Sequence, residues 1–361
     1  MTAYLEFLKF CLNDEAVMPD VANSINWHEL REFAKKQAIA GIFWQGVEKV
    51  QGKNKPTDDD VLEWMSTIKR LEKNNKTADE KVAWVTKNFK TEGFRSCLLK
   101  GQGNALMYPN PARRTSGDID IWVEGGDKKV IAYVHSITPH TKACYHHVDF
   151  RKAGDIAIEV HYRPSWLNNP YDNKRLQQWF LDHSDACFQP RSNNAIEEKA
   201  RQMGFNMPTW EFNVVFQLCH IYNHLLHEGI GLRQLIDYFY LLKCREGAAV
   251  DMTETLKPLG LATIGGATAW VMKEVLGLPD RYLVCPPDAR RGMMLLKEVL
   301  AGGNFGHHDD RLLSGSYASP VKANLQRIVR DLRMMRYYPS ETLWEPWFRV
   351  WHYFWRRRKN N

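Results

Sequence analysis

The segment GDIDIWV, residues 117–123, puts Asp118 and Asp120 one residue apart in an otherwise apolar, strand-like run. Side chains along a strand alternate faces, so the two carboxylates point the same way. Like charges that close repel one another, and burial raises the cost to several kcal/mol for each unpaired charge. A strand with this pattern is stable when cations stand between the acids, and oxygen ligands of this kind suit a hard divalent metal.

A third acid fits the same requirement. In AIEVHY, residues 157–162, Glu159 and His161 alternate with apolar residues and share a face. If this strand lies beside the Asp-Ile-Asp strand, three carboxylates converge. That is a ligand set for two Mg²⁺ or Mn²⁺ ions in phosphoryl or nucleotidyl transfer. Upstream, KGQGN follows a short apolar run and opens a short helix, so its backbone N–H groups can cradle phosphate. Lys100 and Arg114 add charge for a polyphosphate. No Walker sequence is present.

The surrounding pattern predicts an α+β fold in three parts: a helical region over 1–92, a core with a small mixed sheet over 93–190, and a helical domain over 191–361. In the first, INWHELREFAKKQAIAGIFWQGVEKV has helical spacing, with Asn26 placed to cap it and Glu29 resembling the acid of a capping box. A long helix follows from about Val61 to Glu92, ended by Gly93. The core reads as a strand in FRSCLL, a loop and short helix in GQGNALMY, a strand in GDIDIWV and a helix in GGDKKVIAYVHSI. Two further strands in YHHVDFRKAGDIAIEVHYRP are joined by a tight turn at Ala153-Gly154-Asp155. The third part opens with two helices separated by Gly229 and Gly231.

Bulk properties narrow the class. No apolar run reaches the roughly 18–20 residues of a membrane span. The N-terminus carries early acids and lacks the basic start of a signal peptide. Seven cysteines stand singly, with no C-x-x-C pair, which suits reduced thiols and a cytoplasmic location. The net charge of +7 is compatible with anionic partners.

Taken together, LLKGQGNALMYPNPARRTSGDIDIWV, IEVHYRP and HEGIGLRQLIDYFYLL resemble the uncharacterised bacterial nucleotidyltransferase family, type 5, of the polymerase-β-like nucleotidyltransferase superfamily. WHELREFAKKQAIAGIFWQGV resembles that family's leading helices. The resemblance implies transfer of a nucleoside monophosphate from a nucleoside triphosphate to an acceptor hydroxyl. It implies metal ligands at Asp118, Asp120 and Glu159, and phosphate binding near Lys100, Gly101 and Arg114. It also places Arg233 against the active site. The superfamily's usual Gly-Ser appears here as Lys100-Gly101-Gln102, so the serine that touches phosphate is missing and Gln102 stands in the loop instead.

Other features keep alternatives open. His220, His224 and His227 share a helical face, which suits a cleft lining, a zinc site or plain packing. Arg233 and Asp237 can pair with one another, or Arg233 can reach a phosphate. His161 can orient a ligand or act as a base. Asp149 shares the face of His147, and His146 or His147 must face the site. Trp344, Trp347, Trp351 and Trp355 recur at helical spacing, which predicts a packed stripe with snorkelling arginines. The same basic helix could instead bind nucleic acid or a membrane surface. A non-catalytic nucleotide-binding protein on the same fold is the remaining alternative. The acceptor, whether small molecule, protein or RNA, has no signature in the sequence.

Overall fold

The computed structural model describes residues 2–13, 18–20, 24–50, 55–150, 156–190, 194–306 and 320–360. Four helices come first: α1 (Thr2–Leu12), α2 (Trp27–Lys36), α3 (Ala40–Val47) and α4 (Asp58–Thr91). The mixed region follows with β1 (Ser96–Leu98), α5 (Gln102–Ala105), β2 (Ile119–Val123), α6 (Gly126–Ile137), β3 (His147–Asp149) and β4 (Ile158–His161). Helices then run to the end. They are α7 (Pro170–Asp182), α8 (Ser184–Phe188), α9 (Ala195–Gln202), α10 (Trp210–His227) and α11 (Leu232–Lys243). After them come α12 (Thr253–Leu256), α13 (Ala262–Trp270), α14 (Ala289–Gly302), α15 (Pro320–Met335) and α16 (Pro339–Asn360). The fold is α+β, with one small mixed sheet flanked by helical regions.

The four strands lie in the order β1-β2-β4-β3. β1 and β3 run antiparallel to their neighbours, and the central pair β2 and β4 is parallel. Period-two alternation sorts their side chains. Ile119, Ile121 and Val123 join Ile158 and Val160 in a core with Val82, Val85 and Phe89 of α4 and Val130 and Val134 of α6. The opposite face carries Asp120, Trp122, Glu159 and His161. Trp122 closes one end of that face, its ring 4.4 Å from Phe188 and 5.3 Å from Phe212 of α10. The turn expected at Ala153–Asp155 lies outside the described residues.

Helix α4, about 50 Å long by its rise per residue, is the brace behind the sheet. It starts three residues earlier than expected because Thr57 and Asp60 form a capping box and Asp58–Asp60 sit in the first turn. Three acids there complement the helix dipole. Midway, the buried Asn75 side chain donates to the carbonyls of Ala112 (2.8 Å) and Arg114 (2.7 Å). That contact anchors the segment leading into β2. At α2, Asn26 caps the helix through the Glu29 N–H. The Glu29 carboxylate accepts instead from the Tyr4 hydroxyl at 3.0 Å, so the capping box expected there is half formed.

The C-terminal helix overturns part of an expectation. Trp347 is 71% exposed and Trp351 47%, so half of the tryptophan stripe faces outward, while Trp344 is half-buried and Trp355 packs on the sheet core. The inward face carries polar residues instead, with Glu341, Thr342 and Glu345 buried. The reason is the partner surface: Glu341 accepts the backbone N–H groups of Asn168 and Asn169, which need an acceptor where water is excluded.

Burial pushes the Glu341 carboxyl up from 4.5 to about 7, against the two backbone N–H donors. A raised folded value favours the protonated form, so its stabilisation is complete below about pH 4.5 and lost as pH rises towards about 7. Glu341→Gln removes this slope. Between about pH 5 and about pH 8, urea melts should shift in favour of the variant by on the order of 1–3 kcal/mol relative to wild type. A difference that does not change with pH would count against the assignment.

Candidate functional site

The parallel pairing of β2 with β4 sets Asp120 directly beside Glu159. Asp118 precedes β2 and points to the same side. One oxygen from each of Asp118, Asp120 and Glu159 lies within 4.8 Å of the others. The acids therefore meet on the sheet face that the core does not use.

Asp120 is the centre of this group and is 1% exposed. Its Oδ1 is approached by Lys100 Nζ at 2.9 Å and His161 Nε2 at 3.0 Å. Its Oδ2 is buried with no hydrogen-bond partner among the described residues. Burial would raise its pKa, but Lys100 and His161 hold it below the usual carboxylate range. Asp118 moves the other way: Asp120 beside it, then burial, push its carboxyl up. Burial lowers His161, yet its bonds to Asp120 and Glu159 prevail and carry it up to about 9. Glu159 is also 3.3 Å from His147 Nδ1. Burial works against its charge, and His161 and His147 keep it ionised.

The donor set suits a hard divalent cation: three converging carboxylates, one of them with a buried orphan oxygen. In the present arrangement the Lys100 ammonium supplies part of the missing positive charge. Lys100 reaches Asp120 because the chain turns sharply after β1. Gly101 has φ +61, a conformation that side chains resist, and it caps α5.

The acids open into a cleft of about 480 Å³. His220, His224 and His227 of α10 line it opposite the sheet. His224 pairs with Glu228 at 3.1 Å, and His227 with the Asn223 carbonyl. These three histidines do not form a converging ligand group. The groups that converge among the described residues lie on or beside β2, β3 and β4. A narrow recess of about 20 Å³ on the other side is bordered by Lys100, Gly101, Asp118 and Arg233. The Arg233 guanidinium comes within 3.2 Å of where a side chain on Gly117 would begin, so a larger residue there would have to displace it.

Three of the expected residues take partners that their spacing does not specify. Asp237 takes Arg114 rather than Arg233 as its bidentate partner, with the Arg233 charge also acting on it. It accepts from Arg114 Nε and Nη2, both at 2.7 Å, and from the Tyr108 hydroxyl at 2.6 Å. Arg114, expected at a phosphate, is 4% exposed and bonded to Asp237 while also bordering the recess. Gln102 turns its side chain to α4, donating to the Asn75 carbonyl and the Asp79 carboxylate. Its backbone, not its amide, faces the loop.

The sequence reading missed the far wall of the cleft. Phe348, Arg349, His352 and Arg356 of α16 line it, with Trp166 and Tyr145. His352 accepts the Tyr145 N–H at 3.0 Å. The signal lay in the polar residues between the tryptophans: Glu345, Arg349, His352 and Arg356 recur at helical spacing.

A family described as uncharacterised nucleotidyltransferase has a model that matches residues 23–277 of the chain. The protein belongs to that family and is accordingly a transferase of phosphorus-containing groups. Searches of curated proteins and of solved structures returned no match.

The Arg114–Asp237 pair is buried, so breaking it leaves an uncompensated charge. Arg114→Met should destabilise the protein by about 3–5 kcal/mol in chemical denaturation. A stable variant with only weaker nucleotide binding would instead return Arg114 to the phosphate site.

Proposed function

We propose that the protein transfers a nucleoside monophosphate from a nucleoside triphosphate to an acceptor hydroxyl. The observation that carries this reading is the convergence of Asp118, Asp120 and Glu159 around the unpartnered Asp120 Oδ2. These three residues would hold Mg²⁺ or Mn²⁺. Such ions, when bound, neutralise phosphate charge and stabilise the attacking and leaving oxygens of an in-line displacement.

The chain's own groups then divide the work. The Gly101 turn, Lys100 and Arg233 border the narrow recess and direct positive charge and backbone N–H groups at phosphates lying in the larger cleft, which Lys100 also lines. Glu159, kept ionised by His161 and His147, takes the proton of the acceptor hydroxyl. The acceptor oxygen forms a bond to the α-phosphorus, and the bond from that phosphorus to pyrophosphate breaks. His161 holds both Asp120 and Glu159 in place. The cleft supplies positioning and fixed charge, which are the main sources of rate for phosphoryl chemistry. The acceptor occupies the larger cleft, opposite α10.

The test is incubation with Mg²⁺ or Mn²⁺ and each labelled nucleoside triphosphate, alone and with cell extract. Label should pass to an acceptor, and Asp120→Asn should lower the rate by at least about a hundredfold. Nucleotide binding with no transfer under any condition would favour a non-catalytic nucleotide-binding protein. Binding of nucleic acid that survives loss of the carboxylates would favour the nucleic-acid reading.

Lys100 gives a second test with opposite signs in one variant. It competes with a cation for Asp120 Oδ1 and also lines the cleft where the phosphates would lie. Lys100→Met should therefore bind Mn²⁺ more tightly without nucleotide, by roughly tenfold, and bind nucleoside triphosphate more weakly. Electron paramagnetic resonance titration reads the first effect and calorimetry the second. Weaker Mn²⁺ binding would remove the competition argument.

A further inference from the structure

Helix α16 is amphipathic in the inverted sense. Its inward face carries Glu341, Glu345 and His352, which bond the body or line the cleft. Its outward face carries Leu343, Trp347, Val350, Trp351 and Phe354, all exposed and all at helical spacing on one stripe. Nine of the fourteen large apolar side chains exposed among the described residues fall between 328 and 354. Three of these, Ile328, Val329 and Leu332, lie on α15, which packs against α16. An apolar surface concentrated in this way marks an interaction site.

The residues at its edge indicate what covers it. Arg357 and Arg358 follow the stripe directly and are exposed, while Arg356 turns to the cleft. The Arg357 guanidinium lies 5.1 Å from the Tyr353 ring centroid, so its stem runs along apolar surface while its charge faces outward. A groove of about 760 Å³, bordered by Trp344, Trp347 and Trp351 and by Leu181 of α7, adjoins the same face.

We propose that α16 docks the protein on an anionic membrane surface, lying in the interface without crossing it. Tryptophan, tyrosine and phenylalanine mixed with aliphatic residues suit the boundary between headgroups and acyl chains. The arginine pair at one end complements acidic headgroups. No described helix is long and apolar enough to cross a membrane, which agrees with an interfacial pose. Nucleic acid would use the rings and arginines but gains little from Leu343, Val350 and the α15 aliphatics. A second copy of the chain would bury the apolar stripe but would give the exposed Arg357 and Arg358 beside it no specific role. The inference stands apart from the nucleotidyl-transfer reading. It places the bilayer surface about one helix diameter, ~10 Å, from the cleft.

Co-sedimentation of the full chain with phosphatidylcholine vesicles, with and without phosphatidylglycerol, tests it. The protein should pellet with the phosphatidylglycerol vesicles, with a blue shift in tryptophan emission, and salt should weaken the binding. Trp347→Ser with Phe354→Ser should lower the affinity at least about tenfold. Replacing Arg357 and Arg358 by Gln should lower it roughly thirtyfold for anionic vesicles. Wild-type protein that pellets with neither vesicle overturns the proposal, whatever the variants do. So does a dimer in light scattering that the double variant dissolves in the absence of vesicle binding. Retention of single-stranded RNA through Arg357 and Arg358, again without vesicle binding, overturns it as well.

Discussion

The repulsion among Asp118, Asp120 and Glu159 is the constraint around which the rest of the structure is arranged. Three carboxylates on one sheet face cost several kcal/mol apiece if left uncompensated. The chain offsets part of this with Lys100 and His161 on one oxygen of Asp120, and with His147 and His161 on Glu159. It leaves the other oxygen of Asp120 buried and unpartnered. A protein that needed only stability would not keep an acid there. The residual charge is what a cation would neutralise in the nucleotidyl transfer proposed above.

The cations near the acids differ in how firmly they are held. Arg114 is locked by two hydrogen bonds to Asp237, and its carbonyl is gripped by Asn75 of α4. Those contacts fix the segment that enters β2 from two directions, so the aspartates are carried on a rigid mount. Lys100 stands on a glycine turn at the cleft edge and reaches Asp120 through a flexible stem. One arginine therefore builds the site, while the lysine remains free to exchange partners within it.

Much of this was legible from residue spacing. Alternation assigned Asp118 with Asp120, and Glu159 with His161, to shared faces, because a strand has only two. The long helix before β1 was visible, and its early start came from Thr57 and Asp60, a cap that apolar periodicity does not weigh. Pairings between distant segments were not legible. Nothing local tells Asp237 to choose Arg114 over Arg233, which is four residues away on the same helix. Tertiary packing brings α11 against the turn before β2 and decides it. Gln102 likewise belongs to α4 through Asp79, a contact set by how the helix crosses the loop.

The C-terminal helix shows why periodicity alone misassigns a face. Tryptophans at helical spacing identify a stripe, but not which way it points. Hydrophobicity argues inward for a chain in water. Yet the body opposite α16 presents unpaired backbone groups of Asn168 and Asn169, the Tyr145 N–H and a charged cleft. Those groups require polar partners, and an unsatisfied buried N–H costs about as much as burying a methylene or two gains. The polar face therefore turns inward and the apolar face is displaced to the surface. An exposed stripe of that size is itself unfavourable in water. The same helix thus satisfies the cleft on one side and calls for an apolar environment on the other.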